Sequence, residues 1–167
     1  MREDGKYIGI YPADRNRVTC TIDFPHPLIG EQSYSLELNP ENYVREIAPA
    51  RTFGFLKDLN ALRNMGLIRG ASQENCIVLT RDGVVNGPLR YPDEFVRHKV
   101  LDLIGDLALL GKRIIGRVVA DRAGHAMHTA LVTRILRDRT LWEETTEDDS
   151  RNSVVTAAPA EVSAPAL

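Results

Sequence analysis

Three side chains that can bind a metal or move protons recur along one predicted helix. His98, Asp102 and Asp106 are each four positions apart, so they fall on one helix face, where i and i+4 side chains are neighbours. Imidazole and carboxylate groups are both good ligands for Zn²⁺. The spacing therefore permits a metal site, although a solvated helix face with alternating charges gives the same pattern and is the more common case.

His125 is a second candidate, because Gly124-His125-Ala126 stands where a predicted strand gives way to a helix. The positive end of a helix disfavours an imidazolium, whereas a nearby carboxylate favours it. Asp106 is the candidate carboxylate, and a histidine held by an aspartate can serve as a general acid near neutral pH. The alternative is a capping or surface histidine, and His128 is assigned to that ordinary class.

Composition and charge exclude several other functions. The 167 residues are 43% apolar, enough to bury one core, and a formal net charge of -2 gives no general attraction for nucleic acid. No segment approaches the roughly 18 apolar residues of a membrane span, and the first residues lack the apolar stretch of a signal peptide, so we expect a cytoplasmic protein. Cys20 and Cys76 are then expected to be buried thiols rather than a disulfide.

Hydrophobic periodicity and turn signals indicate the elements that carry these residues. Strands that cluster early, without regular alternation with helices, predict an α+β fold whose antiparallel or mixed sheet is covered by helices. A helix is expected to start at Asn39-Pro40, which supplies an N-cap and a first-turn proline. The other predicted helices are Leu56 to Met65, Pro92 to Leu110 and Gly124 to Trp142, and the predicted strands are Arg17 to Phe24, Ser33 to Leu38, Cys76 to Thr80 and Arg113 to Val119.

The chain changes character at residue 143. The segment EETTEDDSRN is acidic and polar, and the segment VVTAAPAEVSAPAL is rich in Ala, Pro and Val without a period. Such composition is typical of disorder. We therefore predict one folded domain over residues 1–142 and a disordered tail over residues 143–167.

Three segments together resemble the zinc-dependent UDP-3-O-acyl-N-acetylglucosamine deacetylases of lipid A synthesis: ARTFGFLKDLNALRNMGLIRGAS, DEFVRHKVLDLIGDLALLG and GHAMHTALV. Their order and spacing agree with that family, and TIDFPHPLIG and ENCIVLT extend the resemblance to roughly residues 17–140. The resemblance implies the second of the family's two similar domains, a layered sheet with packed helices and a βαβ insert. The zinc ion and the substrate would lie between the two domains.

The resemblance also implies a role for each charged candidate. His98 and Asp102 would be two of three protein ligands of Zn²⁺, which leaves an open position for water. His125 would be the general acid that protonates the departing amine, oriented by Asp106. Lys99 would contact the sugar or diphosphate of the substrate.

Further site residues are implied within the insert from about Thr52 to Ile77. The Thr52 hydroxyl would stabilise the tetrahedral oxyanion. Phe53, Leu59 and Ile68 would line a narrow passage for the fatty acyl chain, although their spacing also allows ordinary core packing.

The implied reaction hydrolyses the N-acetyl group of UDP-3-O-acyl-N-acetylglucosamine to UDP-3-O-acyl-glucosamine and acetate, the committed step of lipid A synthesis. The family's third zinc ligand, a histidine, and its general base, a glutamate, belong to a first domain that this sequence does not resemble. We therefore expect the chain to require that complementary domain, on the same or a separate chain, and to be inactive alone. The alternatives are one chain of a split enzyme and a non-catalytic module that binds the acyl chain or the nucleotide sugar.

Overall fold

The computed structural model describes residues 1–58, 65, 72, 74–146 and 153–157. Its main sheet contains five strands, which are β1 (Arg2–Glu3), β2 (Lys6–Tyr11), β3 (Arg17–Phe24), β4 (Gly30–Glu37) and β8 (Arg117–Asp121). Their order in the sheet is β1-β2-β8-β3-β4. Two helices, α2 (Glu94–Leu107) and α3 (His125–Arg137), pack against this sheet, so the predicted α+β class is confirmed.

Alternating apolar residues set the inner face of the sheet. Val18, Cys20 and Ile22 in β3 are buried, while the residues between them point to the other face. β3 pairs antiparallel with β4, with Val18 opposite Leu36. The sequence analysis missed β1 and β2, although Ile8 of β2 is fully buried.

β8 completes the sheet by entering between two earlier strands. It runs antiparallel to β2 and parallel to β3. A central position demands apolar side chains facing the helices, and Val118 and Ala120 are both buried. The C-terminal end of β8 leads directly into α3, so the sheet fixes where α3 begins.

The core lies between this sheet and the two long helices. α2 contributes Phe95, Val100 and Leu103, all fully buried, and α3 contributes Leu131 and Ile135. Each large apolar side chain buried in this way stabilises the fold by about 1.5–3 kcal/mol. Among the described helices, none is long and apolar enough to cross a membrane.

The predicted long helices are present but shorter than expected. α2 continues beyond Leu107 only as a 3-10 turn, Ala108–Leu110, and ends at Gly111, whose φ of 68° is left-handed. A glycine adopts this conformation without steric cost, so it is a favourable stop. α3 ends at Arg137, and a separate 3-10 turn follows at Arg139–Leu141.

The segment before α2 contains a short helix and a parallel strand pair. α1 (Pro40–Asn42) begins at the predicted cap, where the Asn39 side chain accepts a hydrogen bond from the Asn42 amide at 2.8 Å, and a π-helical turn, Tyr43–Ile47, follows. β5 (Thr52–Phe55) then pairs in parallel with β6 (Cys76–Leu79). Parallel neighbours need a crossover connection. Residues 56–58 are helical, and most of the helix predicted from Leu56 to Met65 lies outside the described residues.

The single strand predicted from Arg113 to Val119 is divided at Gly116. β7 (Arg113–Ile115) precedes it, and β8 follows it. A Cβ atom at Gly116 would lie 3.0 Å from the carbonyl oxygen of Tyr11. The close approach of β2 therefore favours glycine at this bend.

The structure also differs from the disorder predicted for residues 143–167. β9 (Trp142–Thr146) and β10 (Ser153–Ala157) form a second sheet with β7, in the order β7-β10-β9. β10 runs parallel to β7 and antiparallel to β9. The physical reason is that β7 offers a strand edge, and SVVTA contains β-branched residues that favour pairing there. Residues 147–152 and 158–167 lie outside the described residues.

Candidate active site

α2 presents the predicted helical constellation as a set of neighbouring side chains. His98 Nε2 lies 3.3 Å from Asp102 Oδ1, and Lys99 Nζ donates to Asp102 Oδ2 at 2.6 Å. The His98, Lys99 and Asp102 side chains are only 15–17% exposed. These residues therefore do not form a freely solvated helix face, which was the more common explanation of their spacing.

The backbone before β5 fixes the orientation of His98. Its Nδ1 lies 3.2 Å from the carbonyl oxygen of Ala50. Because a carbonyl oxygen can only accept, Nδ1 carries the proton in this contact, and Nε2 of the neutral ring keeps its lone pair. A hydrogen bond of this kind orients histidines that bind metals through their other nitrogen.

A buried ion pair holds Ala50 and α2 together. The Arg51 guanidinium donates to Glu94 Oε1 at 2.8 Å and to Oε2 at 3.0 Å, and the Arg51 amide also donates to Oε1. The Arg90 amide adds a bond of 2.6 Å. Burial alone would raise the pKa of Glu94, but these hydrogen bonds hold it below its usual value. The sequence analysis missed this pair, which ties the carbonyl that orients His98 to the first turn of α2.

The chemistry of His98 and Asp102 fits a divalent cation. With its proton on Nδ1, His98 directs a lone pair at the Asp102 carboxylate, so two acceptor atoms face each other at 3.3 Å. Two ligands of one tetrahedral zinc ion are about 3.4 Å apart, given metal–ligand distances of roughly 2.1 Å. A cation between the two atoms would replace repulsion between acceptors with coordination.

The second histidine stands at the first position of α3, beside Asp106. His125 Nδ1 lies 2.6 Å from Asp106 Oδ2, and the His125 side chain is 63% exposed. Gly124 precedes the helix with an extended backbone and brings His125 to the end of β8. The structure thus brings together the histidine and the carboxylate that the sequence analysis paired.

His128 also belongs to this cluster, contrary to its assignment as a capping or surface histidine. It is only 1% exposed, and its Nδ1 lies 2.8 Å from Asp106 Oδ2. Its position seven residues before the buried Ile135 could have indicated the inner face of α3. Burial lowers the pKa of His128, although Asp106 partly opposes that shift.

Asp106 is held as a carboxylate by its two histidine partners. Burial by itself would raise its pKa, but the hydrogen bonds from His128 and His125 outweigh burial and leave the pKa below its usual value. The ligand atoms of Asp106, His125 and His128 lie within 4.8 Å of one another. They are an alternative metal set, but both rings direct the same nitrogen at one carboxylate oxygen, as hydrogen-bond donors do.

The two clusters meet at Asp102. His125 Nε2 lies 3.8 Å from Asp102 Oδ2, so the nitrogen of His125 that is not directed at Asp106 faces the His98–Asp102 pair. An exchangeable proton on this nitrogen would sit beside any ion held by the pair. This arrangement suits acid–base chemistry at a metal-bound group.

The candidate residues in the segment from Thr52 to Ile77 show fewer contacts with the His98–Asp102 pair. Thr52 is exposed at the start of β5. The Phe53 ring packs edge-on against Phe95 and Phe24, with centroid distances of 5.2 and 5.5 Å, and lies 6.4 Å from the His98 ring. Phe53 therefore has core contacts as well as a place beside the site. Leu59 and Ile68 lie outside the described residues.

A cavity of about 830 Å³ opens beside β5. Apolar and aromatic groups form much of its wall, including Phe24, Phe55 and Leu79. His26 also borders it, and His26 Nε2 lies 2.9 Å from the Thr80 carbonyl oxygen. The sequence analysis did not identify this cavity, which offers an apolar surface for part of a ligand.

An α+β domain that sets a histidine–aspartate pair beside a second, carboxylate-held histidine has the residue types of a metal-dependent hydrolase. The sequence comparisons identify the family. The chain belongs to the UDP-3-O-acyl N-acetylglycosamine deacetylase family, whose model matches residues 1–137.

Several relatives carry the name UDP-3-O-acyl-N-acetylglucosamine deacetylase. The chain is 50% identical over 158 residues to one from Solibacter usitatus, covering 94% of this chain and 53% of the relative. Identity is 47% over 139 residues with one from Myxococcus xanthus (83% and 44% covered) and 44% over 144 residues with one from Campylobacter jejuni (86% and 49% covered). The chain thus spans about half the length of the curated relatives it matches.

Proposed function

We propose that this chain supplies the acid and two of the zinc ligands for hydrolysis of the N-acetyl group of UDP-3-O-acyl-N-acetylglucosamine. It would act as the second domain of a two-domain deacetylase. The observation that carries the proposal is that Nε2 of His98 and Nε2 of His125 lie 3.3 and 3.8 Å from the Asp102 carboxylate. The chain is also 44–50% identical to proteins named for this activity.

His98 and Asp102 are the proposed protein ligands. A zinc ion there would supply Lewis-acid activation of water and of the amide carbonyl. The Ala50 carbonyl keeps the His98 proton on Nδ1, so Nε2 stays free to bind. A third ligand and the base that activates water are proposed to come from the family's first domain.

His125 is the proposed general acid. Hydrolysis adds water to the acetyl carbonyl and breaks the C–N bond, and the leaving amine then needs a proton. His125 Nε2 can donate that proton, because its other nitrogen is bound to Asp106 and because Nε2 faces Asp102. An ionised Asp106 complements the positive charge that His125 carries while it is protonated.

Substrate contacts are proposed for the remaining candidates. Lys99 is bonded to Asp102 here, and a cation bound to Asp102 would repel its ammonium and favour rotation toward an anionic diphosphate. The Thr52 hydroxyl, exposed at the start of β5, is proposed to donate to the oxyanion. Phe53, Leu59 and Ile68, with the neighbouring cavity, are proposed to bind the acyl part.

The complementary domain is proposed to cover the outer side of the two long helices. Leu109, just after α2, is 64% exposed, and Leu136 of α3 is 53% exposed. α3 also exposes small residues such as Ala126 and Ala130, which allow another helix to approach closely. An unpartnered apolar surface of this kind is expected where a second domain packs.

The proposed function can be tested by combining this chain with a first domain from a relative. The purified chain would be combined with the first half of the Solibacter usitatus deacetylase, and bound zinc and acetate release from the substrate would be measured for the mixture and for each half. We expect activity only in the mixture, and its loss on His125→Ala or Asp102→Ala. Activity of this chain alone would refute the requirement for a partner. A mixture that associates and binds zinc without activity would instead favour a binding module.

A further inference from the structure

His128 is a buried titratable group for which the proposed chemistry has no use. It lies one helical turn after His125, with ring centroids 6.0 Å apart. Its Nδ1 bonds Asp106, whereas its Nε2 is buried and has no hydrogen-bond partner among the described residues. A leucine at this position would fill the space without leaving a bare polar atom, so packing alone does not explain a histidine.

The proton positions follow from the acceptor. An ionised carboxylate oxygen only accepts hydrogen bonds, so the Nδ1 atoms of His125 and His128 must both donate to Asp106 Oδ2. Because burial disfavours the charged ring, His128 is a neutral histidine with its proton on Nδ1. This tautomer accounts for the bare Nε2.

The two donors are not equivalent in their surroundings. The His125 side chain is 63% exposed, whereas the His128 side chain is 1% exposed. A side chain enclosed by the core has little rotamer freedom, so its hydrogen bond can fix the carboxylate that it touches. An exposed side chain cannot fix its partner in this way.

We propose that His128 is a positioning residue that holds Asp106 in the orientation presenting Oδ2 to His125 Nδ1. Asp106 in turn keeps the His125 proton on Nδ1 and directs Nε2 toward Asp102. The three residues thus act in series: His128 orients Asp106, and Asp106 orients His125. Of the three, only His125 touches the reacting groups. This inference rests on the proposed function for its catalytic consequence, but not for the geometry itself.

Two substitutions separate the donor from the rest of the ring. In His128→Asn the side-chain amide nitrogen takes the place of Nδ1 and can still donate to Asp106. In His128→Leu the volume is similar and the donor is lost, and His128→Gln, whose amide nitrogen replaces Nε2 instead, is the polar control if the leucine variant does not fold. Circular dichroism melting would establish which variants are folded.

Histidine ring ¹⁵N NMR on the chain alone tests the geometry. At neutral pH we expect His128 to show a protonated Nδ1 and an unprotonated Nε2. His125 should keep its proton on Nδ1 in wild type and His128→Asn, and should become a mixture of tautomers in His128→Leu or His128→Gln. An unchanged His125 tautomer in the folded leucine and glutamine variants would overturn the proposal.

Kinetics of the mixture with the first domain test the consequence. We expect kcat to fall by about 10- to 100-fold in His128→Leu, the usual effect of losing an outer partner, with KM within about twofold and with kcat in His128→Asn restored to within about threefold. Equal kcat losses in the folded asparagine and leucine variants would contradict a positioning role. If no mixture is active, the proposed function fails, and the NMR result still decides the role of His128.

Discussion

The two histidines that flank Asp102 differ in what holds their Nδ1 atoms. His98 is 15% exposed and is directed at a backbone carbonyl, that of Ala50. His125 is 63% exposed and is directed at a carboxylate, Asp106. Both rings direct Nε2 toward Asp102. The two histidines therefore face the same carboxylate, but one is oriented by a backbone carbonyl and the other by a side-chain carboxylate.

This difference suits each ring to a different task. A neutral carbonyl fixes the tautomer of His98 without favouring a positive ring, as a metal ligand requires. A carboxylate complements an imidazolium, which is the state a general acid must visit. The group that Nδ1 faces, rather than the histidine itself, therefore distinguishes the proposed metal ligand from the proposed general acid.

Asp102→Asn should give the largest effect, because it removes the charge that both histidines face. In the mixture with the first domain we expect zinc content to fall and deacetylation to drop by more than about 100-fold, since even an outer partner of a metal ligand contributes 10- to 100-fold. Zinc per protein and acetate release measure the two effects. Asp14→Asn, at an exposed aspartate, is the matched control, and equal zinc and activity in both variants would contradict the ligand assignment.

Asp106→Asn should impair the proposed general acid, His125, without affecting the proposed zinc ligands. The amide no longer complements a charged His125, so we expect kcat to fall by about 10- to 100-fold while zinc stays bound. Metal analysis of the same samples used for kinetics checks both quantities. Loss of zinc together with activity would instead place the metal at Asp106, His125 and His128, the alternative cluster.

Glu94→Gln should destabilise the part of the fold that orients His98. It leaves the buried Arg51 guanidinium without its carboxylate, and breaking a buried ion pair costs about 3–5 kcal/mol of unfolding free energy. Chemical denaturation of the chain would measure this loss. Glu41→Gln, at a solvent-exposed pair with Arg45, is the control and should change stability little, so similar losses in both variants would contradict a special role for the buried pair.

The sequence predicted the parts of this site that depend on local periodicity. The spacing of His98, Asp102 and Asp106 needs only one helix, and Gly124-His125 marks a strand-to-helix junction; both were confirmed. The position of Asp106 on that helix face made it the candidate carboxylate for His125, and the resemblance to a known family implied the same pairing. The structure places the two side chains 2.6 Å apart across two helices.

What the sequence did not predict depends on tertiary contacts. The Arg51–Glu94 pair joins residues 43 positions apart, and the contact between His128 and Asp106 joins residues 22 positions apart. β2 was missed because its sequence, KYIGIY, places tyrosines on one face and isoleucines on the other, so apolar and polar residues do not alternate clearly. The strand β10 depends on the edge offered by β7, a contact distant in sequence.

A pH dependence of stability should give the smallest effect and would sharpen the contrast between buried and exposed histidines. Burial lowers the pKa of His128 below its ordinary value of 6.5, so the unfolded chain binds more protons than the folded one just below that pH. Stability is therefore fully present above about pH 6.5 and declines as the pH falls below it. Urea denaturation of wild type and His128→Asn from pH 7.5 to 5 would compare the slopes. We expect a shallower decline in the variant, and parallel curves would show that other groups carry the dependence.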